Sequence, residues 1–331
     1  MTSHEVVHVH EPSQVVSARA AARSAADRAG FDDTDIHRAG LVATELATNL
    51  ARHARDGEIL IRGSAAGEIE MLAIDRGPGM ANLGLSMTDG HSTGGTPGTG
   101  LGAIRRLSDD FDIFSSVPQG TVAWTRLRRQ RAPAAGSAGF DVAAISVSKE
   151  NETVCGDAWT VRYLADEMTT AIVDGLGHGL HAAEASRAAV DALNSRVFSN
   201  CADAIRTMHE SLRHTRGAAG TVVTVSPATQ VVRVAGIGNV SAAICHEQSV
   251  RRAVSLNGIL GGETRPIREF TYPWIRDSLL VMHSDGLASS WSLATYPGYA
   301  RRHPAIIAAL LYRDFNRGRD DVTVLVGREA A

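Results

Sequence analysis

Glu45 and Asn49 stand four residues apart in "ATELATNLARH", so on a helix they share one face, one turn apart. A carboxylate and an amide oxygen in that relation can hold a water and a hard cation such as Mg²⁺, which takes oxygen ligands and bridges to phosphates. Asp75 ends the apolar run in "EMLAIDRGPGM", where its carboxylate can accept a hydrogen bond from an exocyclic amine of the kind adenine offers; Gly77 and Gly79 then let the chain turn beneath a flat ring. The stretch "HSTGGTPGTGLGA" places Gly94, Gly95, Gly98, Gly100 and Gly102 just before the helix-like "IRRLSDD". Glycine at that density admits a ligand close to the backbone, and the free N–H groups at a helix start favour phosphate. A P-loop is excluded, because no Gly-Lys-Ser/Thr closes the stretch. The spacing of Gly98, Gly100 and Ala103 matches a dinucleotide fingerprint, but the buried strand before it and the acidic residue about 20 positions on are missing. Taken singly, each piece also reads as a solvated helix face, a turn or a loop; their order along the chain favours a nucleotide.

A second set of acidic residues lies beyond residue 150. "VCGDAW" presents Asp157, "AIVDGLGHG" presents Asp174 at the end of an apolar strand, "VMHSDGL" presents Asp285, and "GRDDVTVLV" presents Asp320 and Asp321 before the last strand. An aspartate before glycine is also a common turn, so the turn reading stays open for each one. If they converge, such carboxylates repel unless cations neutralise them, and an all-oxygen site selects Mg²⁺ or Mn²⁺ over zinc. Two such ions about 3.5–4 Å apart hold a bridging water and stabilise phosphate oxygens during in-line attack, with no serine or cysteine nucleophile required. His178 lies in the loop after Asp174, where a histidine either holds a catalytic proton or simply shapes the loop.

These groups need two scaffolds. The chain has 331 residues, 44 % hydrophobic and 21 % charged, with a net charge of -3. That length suits two domains, and the balance gives no sign of a nucleic-acid or membrane partner. Three separated cysteines make neither a disulfide framework nor a zinc pair, and no apolar run is long enough for a membrane span or a signal peptide, so a cytoplasmic location is expected. Residues 131–139, "RAPAAGSAG", read as a linker between domains at 1–130 and 140–331. In the first domain, an Ala-rich helix ends at Gly30, a second helix carries Glu45 and Asn49, and "EILIRGS", "IEMLAID", "FDIFSS" and "TVAWTRL" read as strands: an α+β sandwich. The second domain is strand-rich, with "HAAEASRAAVDALNSR", "ADAIRTMHESLRH" and "PAIIAALLYRDF" as helices packed outside stacked sheets.

The series "ELATN", "DRGPG", "GTPGTGLG" resembles the N-box and the two glycine boxes of the GHKL (Bergerat) ATP-binding fold over residues 10 to 130. Within it, "ELATNLARHA" and "DGHSTGGTPGTGLGAIRRLSDDFDI" look most like the RsbT/RsbW-type serine kinases of bacterial partner-switching systems, nearer RsbT. The resemblance implies that Glu45 orients or deprotonates the attacking hydroxyl and that Asn49 binds Mg²⁺. It implies further that Asp75 holds adenine, and that Gly77, Gly79, Gly94, Gly95, Gly98, Gly100, Leu101 and Gly102 shape the ATP pocket. From about 140 to 327, "GDAW…VDGLGHG…HSDGL…GRDDVT" resembles the metal-dependent PPM phosphatases, particularly the SpoIIE/RsbX branch. Its fold is a β-sandwich flanked by helices, and it implies Asp157, Asp174, the Gly175 carbonyl, Asp285, Asp320 and Asp321 as ligands of Mg²⁺ or Mn²⁺. Together the resemblances imply a kinase and a phosphatase acting on STAS-domain antagonist or scaffold proteins in stress signalling. Two alternatives stay open: an anti-sigma kinase that binds a sigma factor, and an ATP-gated binding module that regulates the phosphatase.

Overall fold

The computed structural model describes residues 3–86, 100–129, 139–264 and 266–330. The chain forms two compact units. Among the described residues, the first runs up to residue 129 and adds Thr295–Arg313, and the second takes in 139 to Ala294 and Asp314 to 330. The expected linker falls almost wholly outside the described residues.

In the first unit, β1 (Glu5–His8), β2 (Glu58–Ser64), β3 (Glu68–Ile74), β4 (Asp110–Ser116) and β5 (Gly120–Arg128) form one sheet in the order β1-β2-β3-β5-β4, and each adjacent pair is antiparallel. The edge strand β1 has no counterpart in the sequence reading, because four residues give too little alternation to recognise. Helices α1 (Gln14–Arg28) and α2 (Asp33–His53) cover one face. The side chain of Asp32 caps α2 by accepting from Asp35 N at 2.8 Å. Small residues on α1, such as Ala18, Ala22 and Ala26, let it lie close to Ile59, Ile61, Ile69 and Met71 of the sheet and to Leu46 and Leu50 of α2. The short helices α3 (Leu83–Ser86) and α4 (Gly100–Leu107) follow β3.

The other sheet face is also buried. Leu60, Leu72, Trp124 and Asp112 are register partners across four strands, so they form one row on that face. The segment 295–313 covers it: His303 stacks on Trp124, Tyr296 meets Phe114 edge-on, and Asp112 accepts from Arg302 Nη1 at 3.1 Å and from His303 N at 2.7 Å. The sequence division groups these residues with the second domain. Their helix, α7 (Pro304–Phe315), is apolar on all sides and buried at every position from Pro304 to Arg313, so its pattern does not disclose which sheet it joins.

The second unit stacks two sheets. One, in the order β13-β10-β9-β8-β7, contains β7 (Asp157–Leu164), β8 (Glu167–Gly175), β9 (Ala218–Ser226), β10 (Val231–Ile237) and β13 (Phe270–Pro273). The other, in the order β12-β11-β14-β15-β6, contains β6 (Phe140–Val147), β11 (Ser241–His246), β12 (Ser249–Arg252), β14 (Leu279–His283) and β15 (Val322–Glu329). Trp159, Ile172, Val223 and Val234 of the first sheet meet Ala144, Ile244, Met282 and Leu325 of the second to form the core. Helices α5 (Leu180–Asn194) and α6 (Cys201–Ser211) pack on the outer face of the first sheet through Ala185, Ala189, Ile205 and Met208. Among the described residues, no helix is long and apolar enough to cross a membrane. All three cysteines are buried and unpaired by disulfide.

Candidate functional sites

Helix α2 buries Leu46, Ala47 and Leu50, which leaves Glu45 and Asn49 half-buried on its flank. Both reach the first residue of α4. A Cβ at Gly100 would stand 3.3 Å from Glu45 Oε2 and 3.4 Å from Asn49 Oδ1, so glycine there keeps the two side chains and the helix start together. At the end of β3, Asp75 N donates to Thr121 O at 2.9 Å, and Asp75 Oδ1 accepts from Gly77 N at 2.6 Å. Burial pushes the Asp75 carboxyl above its ordinary range, against the opposing pull of the Gly77 and Thr121 hydrogen bonds and of Arg313 and His53. Gly77 is squeezed: its Cβ would lie 2.8 Å from His53 O. Gly79 has φ +71, and a side chain there would overlap Ser116 O. Leu101 packs against the apolar core and Gly102 is buried. Gly94, Gly95 and Gly98 lie outside the described residues.

The structure thus joins Glu45 and Asn49 at the start of an α-helix, with Asp75 at a strand end ahead of a buried glycine turn. Among the described residues, the Glu45 carboxylate and the Asn49 amide oxygen, donors suited to a hard cation, meet the first residue of α4 there.

In the second unit, Asp157 begins β7 and Asp174 lies near the end of β8, directly opposite in register. Asp285 follows β14, and Asp320 and Asp321 precede β15, the neighbouring strand. Asp157 is buried, and its Oδ2 accepts from Ser284 Oγ at 2.7 Å, while Oδ1 has no hydrogen-bond partner. Such an orphaned oxygen calls for a cation or a proton. Burial pushes Asp157 up to about 7, the Ser284 and Thr323 hydrogen bonds pull the other way, and the charges of Asp321 and Asp285 add to the rise. Asp174 is pushed up to about 9 by burial, then by Asp157, Asp285, Asp320 and Asp321 in turn. The same carboxylates therefore feel one another, although among the described residues no three His, Cys, Asp or Glu side chains are gathered into a ready ligand shell.

Asp321 is differently engaged: Oδ1 accepts from Lys149 N at 2.9 Å and Oδ2 from Gly156 N at 3.0 Å, so it ties two loops together. Gly175 N bonds Gly156 O at 3.2 Å, and the helix α5 backbone at Ala182 leaves no room for a side chain at 175. His178 is exposed and its Nδ1 lies 2.5 Å from Glu152 Oε1. The sequence alone assigns no role to Ser284, which shares "HSDGL" with Asp285, or to Asn239 in "GIGNV". The Asn239 amide donates to Asp285 Oδ2 at 2.7 Å.

Oxygen donors beside a helix start on an antiparallel α+β unit, and aspartates at strand ends of a two-sheet sandwich, are the two candidate sites. Residues 9–127 match the family described as histidine kinase-like ATPase domain, and residues 165–328 match stage II sporulation protein E (SpoIIE). The chain belongs to the RsbT-type kinase family through its first part and is homologous to SpoIIE-type phosphatases through its second. It is 33 % identical to the serine/threonine-protein kinase RsbT of Bacillus subtilis over 38 % of this chain and 100 % of the relative. It is 25 % identical to the phosphoserine phosphatase RsbX of the same organism, over 43 % of this chain and 71 % of the relative. Among solved structures, one described under "The bacterial stressosome: a modular system that has been adapted to control secondary messenger signaling" aligns with TM-score 0.54 and 27 % identity, covering 57 % of this chain and 99 % of its own. RsbX in complex with magnesium aligns with TM-score 0.50 and 21 % identity, covering 58 % and 96 %, and supports the fold. The chain thus joins an RsbT-like and an RsbX-like part in one polypeptide.

Proposed function

We propose that the first domain transfers the γ-phosphoryl group of ATP to a serine or threonine of a STAS-domain protein, and that the second removes phosphate from such proteins, so that one chain sets and resets a stress-signalling module. The observation that carries the kinase half is the convergence of Glu45 and Asn49 on the start of α4. Phosphoryl transfer is catalysed mainly by positioning and charge neutralisation, and a sparse site suffices for it. Glu45 orients the attacking hydroxyl, Asn49 offers an oxygen to the Mg²⁺ of the nucleotide, and Asp75 accepts from adenine.

The orphaned Asp157 Oδ1 and the crowding of all-oxygen donors fit a divalent cation in the second domain. Asp157, Asp174, Asp285, Asp320 and the Gly175 carbonyl would hold Mg²⁺ or Mn²⁺, with Asp321 bracing the loops. When bound, the ions supply Lewis acidity toward water and phosphoryl oxygens. Ser284 fixes Asp157, Asn239 fixes Asp285, and His178, oriented by Glu152, holds a proton for the leaving serine oxygen.

Incubation of the purified protein with ATP, Mg²⁺ and a cognate STAS protein tests the kinase half: labelling that is absent in Glu45→Ala supports it, and an unlabelled partner with either protein refutes it. Replacing Asp157 and Asp174 by Asn should abolish Mn²⁺-dependent hydrolysis of phosphoserine. A second reading, in which nucleotide tunes the phosphatase, is favoured by one contact: Arg313 Nη1 donates to the backbone oxygen of Asp75 at 3.3 Å, and Arg313 belongs to the segment between the strands that precede Asp285 and follow Asp321. Nucleotide that alters phosphoserine hydrolysis without labelling any STAS protein would select it.

A further inference from the structure

Two arginines stand beside the acidic cluster without joining it. Arg216 closes the connection from α6 to β9. The next residue, Gly217, accepts from Leu176 N at 3.0 Å, which sets Arg216 against the loop that follows Asp174 and Gly175. In that loop Gly177 has φ +86, and a Cβ on it would lie 3.4 Å from Arg216 Nη1; the guanidinium therefore lies over the glycine side of the loop. Arg317 N donates to Gly286 O at 2.9 Å, one residue beyond Asp285, which sets Arg317 against the loop that follows β14.

Both arginines are exposed, and among the described residues neither guanidinium makes a hydrogen bond or a close ion pair. Both forks stay open. A guanidinium presents a planar fork that matches two phosphate oxygens. The charge balance shows why such forks are needed. Two divalent cations leave five carboxylates one charge short of neutrality, so a dianionic phosphoryl group would meet no net attraction from metals and acids alone. Two added cations at the rim reverse that sign.

Building on the phosphatase assignment, we propose that Arg216 and Arg317 are the groups that recognise the substrate's phosphoryl oxygens, gripping the phosphoserine or phosphothreonine monoester from the loops that follow Asp174 and Asp285. They bind and orient phosphate; they hold no metal.

The test measures binding of inorganic phosphate to the Mn²⁺-loaded full chain by titration calorimetry, alongside Mn²⁺ affinity and steady-state hydrolysis of a phosphoserine peptide. Arg216→Ala and Arg317→Ala should each weaken orthophosphate about tenfold and raise KM for the peptide similarly, with Mn²⁺ affinity unchanged or slightly higher. Arg→Lys at either position should recover part of the loss, because charge returns without the fork. Orthophosphate binding within twofold of the parent in both Ala variants overturns the proposal, as does a loss of phosphate binding that merely tracks lost Mn²⁺ affinity. Hydrolysis by the unsubstituted chain reads the phosphatase assignment separately: if it proceeds while both variants bind phosphate normally, the arginine assignment alone falls.

Discussion

His303 lies face to face with Trp124, ring centroids 3.8 Å apart and planes within 9°. The two are almost 180 residues apart in sequence, yet together they close the second face of the five-stranded sheet. A fragment ending at residue 129 would expose Leu60, Leu72, Trp124 and Phe114, all buried in the full chain, and is expected to aggregate or lack a cooperative unfolding transition. Adding a peptide spanning 295–315 should restore solubility and near-ultraviolet circular dichroism. In the full chain, Trp124→Ala should cost about 3–5 kcal/mol in denaturant unfolding. A soluble, cooperatively folding fragment would show that the segment is dispensable to the sheet.

Gly120 locks the Asp75 strand end. Its φ is +88, and a Cβ there would overlap the backbone oxygen of Asp75. Gly120→Ala should therefore destabilise by more than the roughly 1–3 kcal/mol of backbone strain alone and weaken binding of a fluorescent ATP analogue, since Asp75 must shift. Gly298→Ala is the control: φ is +76 with nothing within 4 Å, so only the backbone cost applies and nucleotide affinity holds. Equal effects in both variants would remove Gly120 from any part in the pocket.

The strands and helices that carry chemistry are largely legible in the sequence because each has enough length to show its period. "EILIRGS" and "PAIIAALLYRDF" read to the residue, while β12 and β13, four residues each, are too short to show one. Glu45, Asn49 and Asp75 are legible from motif order; the structure brings Glu45 and Asn49 to Gly100 and sets Asp75 just after β3. Ser284 and Asn239 are not, because a serine or asparagine beside a turn carries no signal of its partner; only the stacking of the two sheets brings Ser284, after β14, onto Asp157 at the start of β7. The docking of residues 295–313 is illegible for a different reason. A helix buried on every side has no polar face to show which sheet it serves.

Glu70 ties the same sheet face through charge. It accepts from Arg62 Nη2 at 2.5 Å and Trp124 Nε1 at 2.7 Å, with His4 Nε2 at 3.5 Å. Burial acts to raise its carboxyl, but Arg62, His4 and Trp124 outweigh it and hold it well below the ordinary value of 4.5. The folded state thus binds fewer protons than the unfolded chain, so the contribution is complete above about pH 4.5 and is lost as pH falls toward the depressed folded value. Glu70→Gln should cost about 3–5 kcal/mol at pH 7, and the gap to the parent should narrow below pH 4.5. Urea unfolding at pH 7 and pH 3.5 checks both parts; a gap that does not narrow would show that the charge of Glu70 is not what matters.

The acidic cluster should behave in the opposite sense. Asp174, raised to about 9, and Asp157, raised to about 7, bind more protons folded than unfolded between their ordinary value of 3.8 and those raised values. Without divalent ions, stability is therefore present at low pH and is lost as pH rises through that window. Asp174→Asn removes part of the repulsion and is expected to stabilise the metal-free protein at pH 8 by on the order of 1–3 kcal/mol while abolishing phosphoserine hydrolysis. Saturating Mn²⁺ should raise the Tm of the parent more than that of the variant, because the ion neutralises charges the variant no longer carries. Thermal scans at pH 5 and pH 8 in chelator and in Mn²⁺ decide it: a variant no more stable than the parent at pH 8 in chelator would mean that the carboxylates are too far apart to crowd one another, and the shared cation site would fall with them.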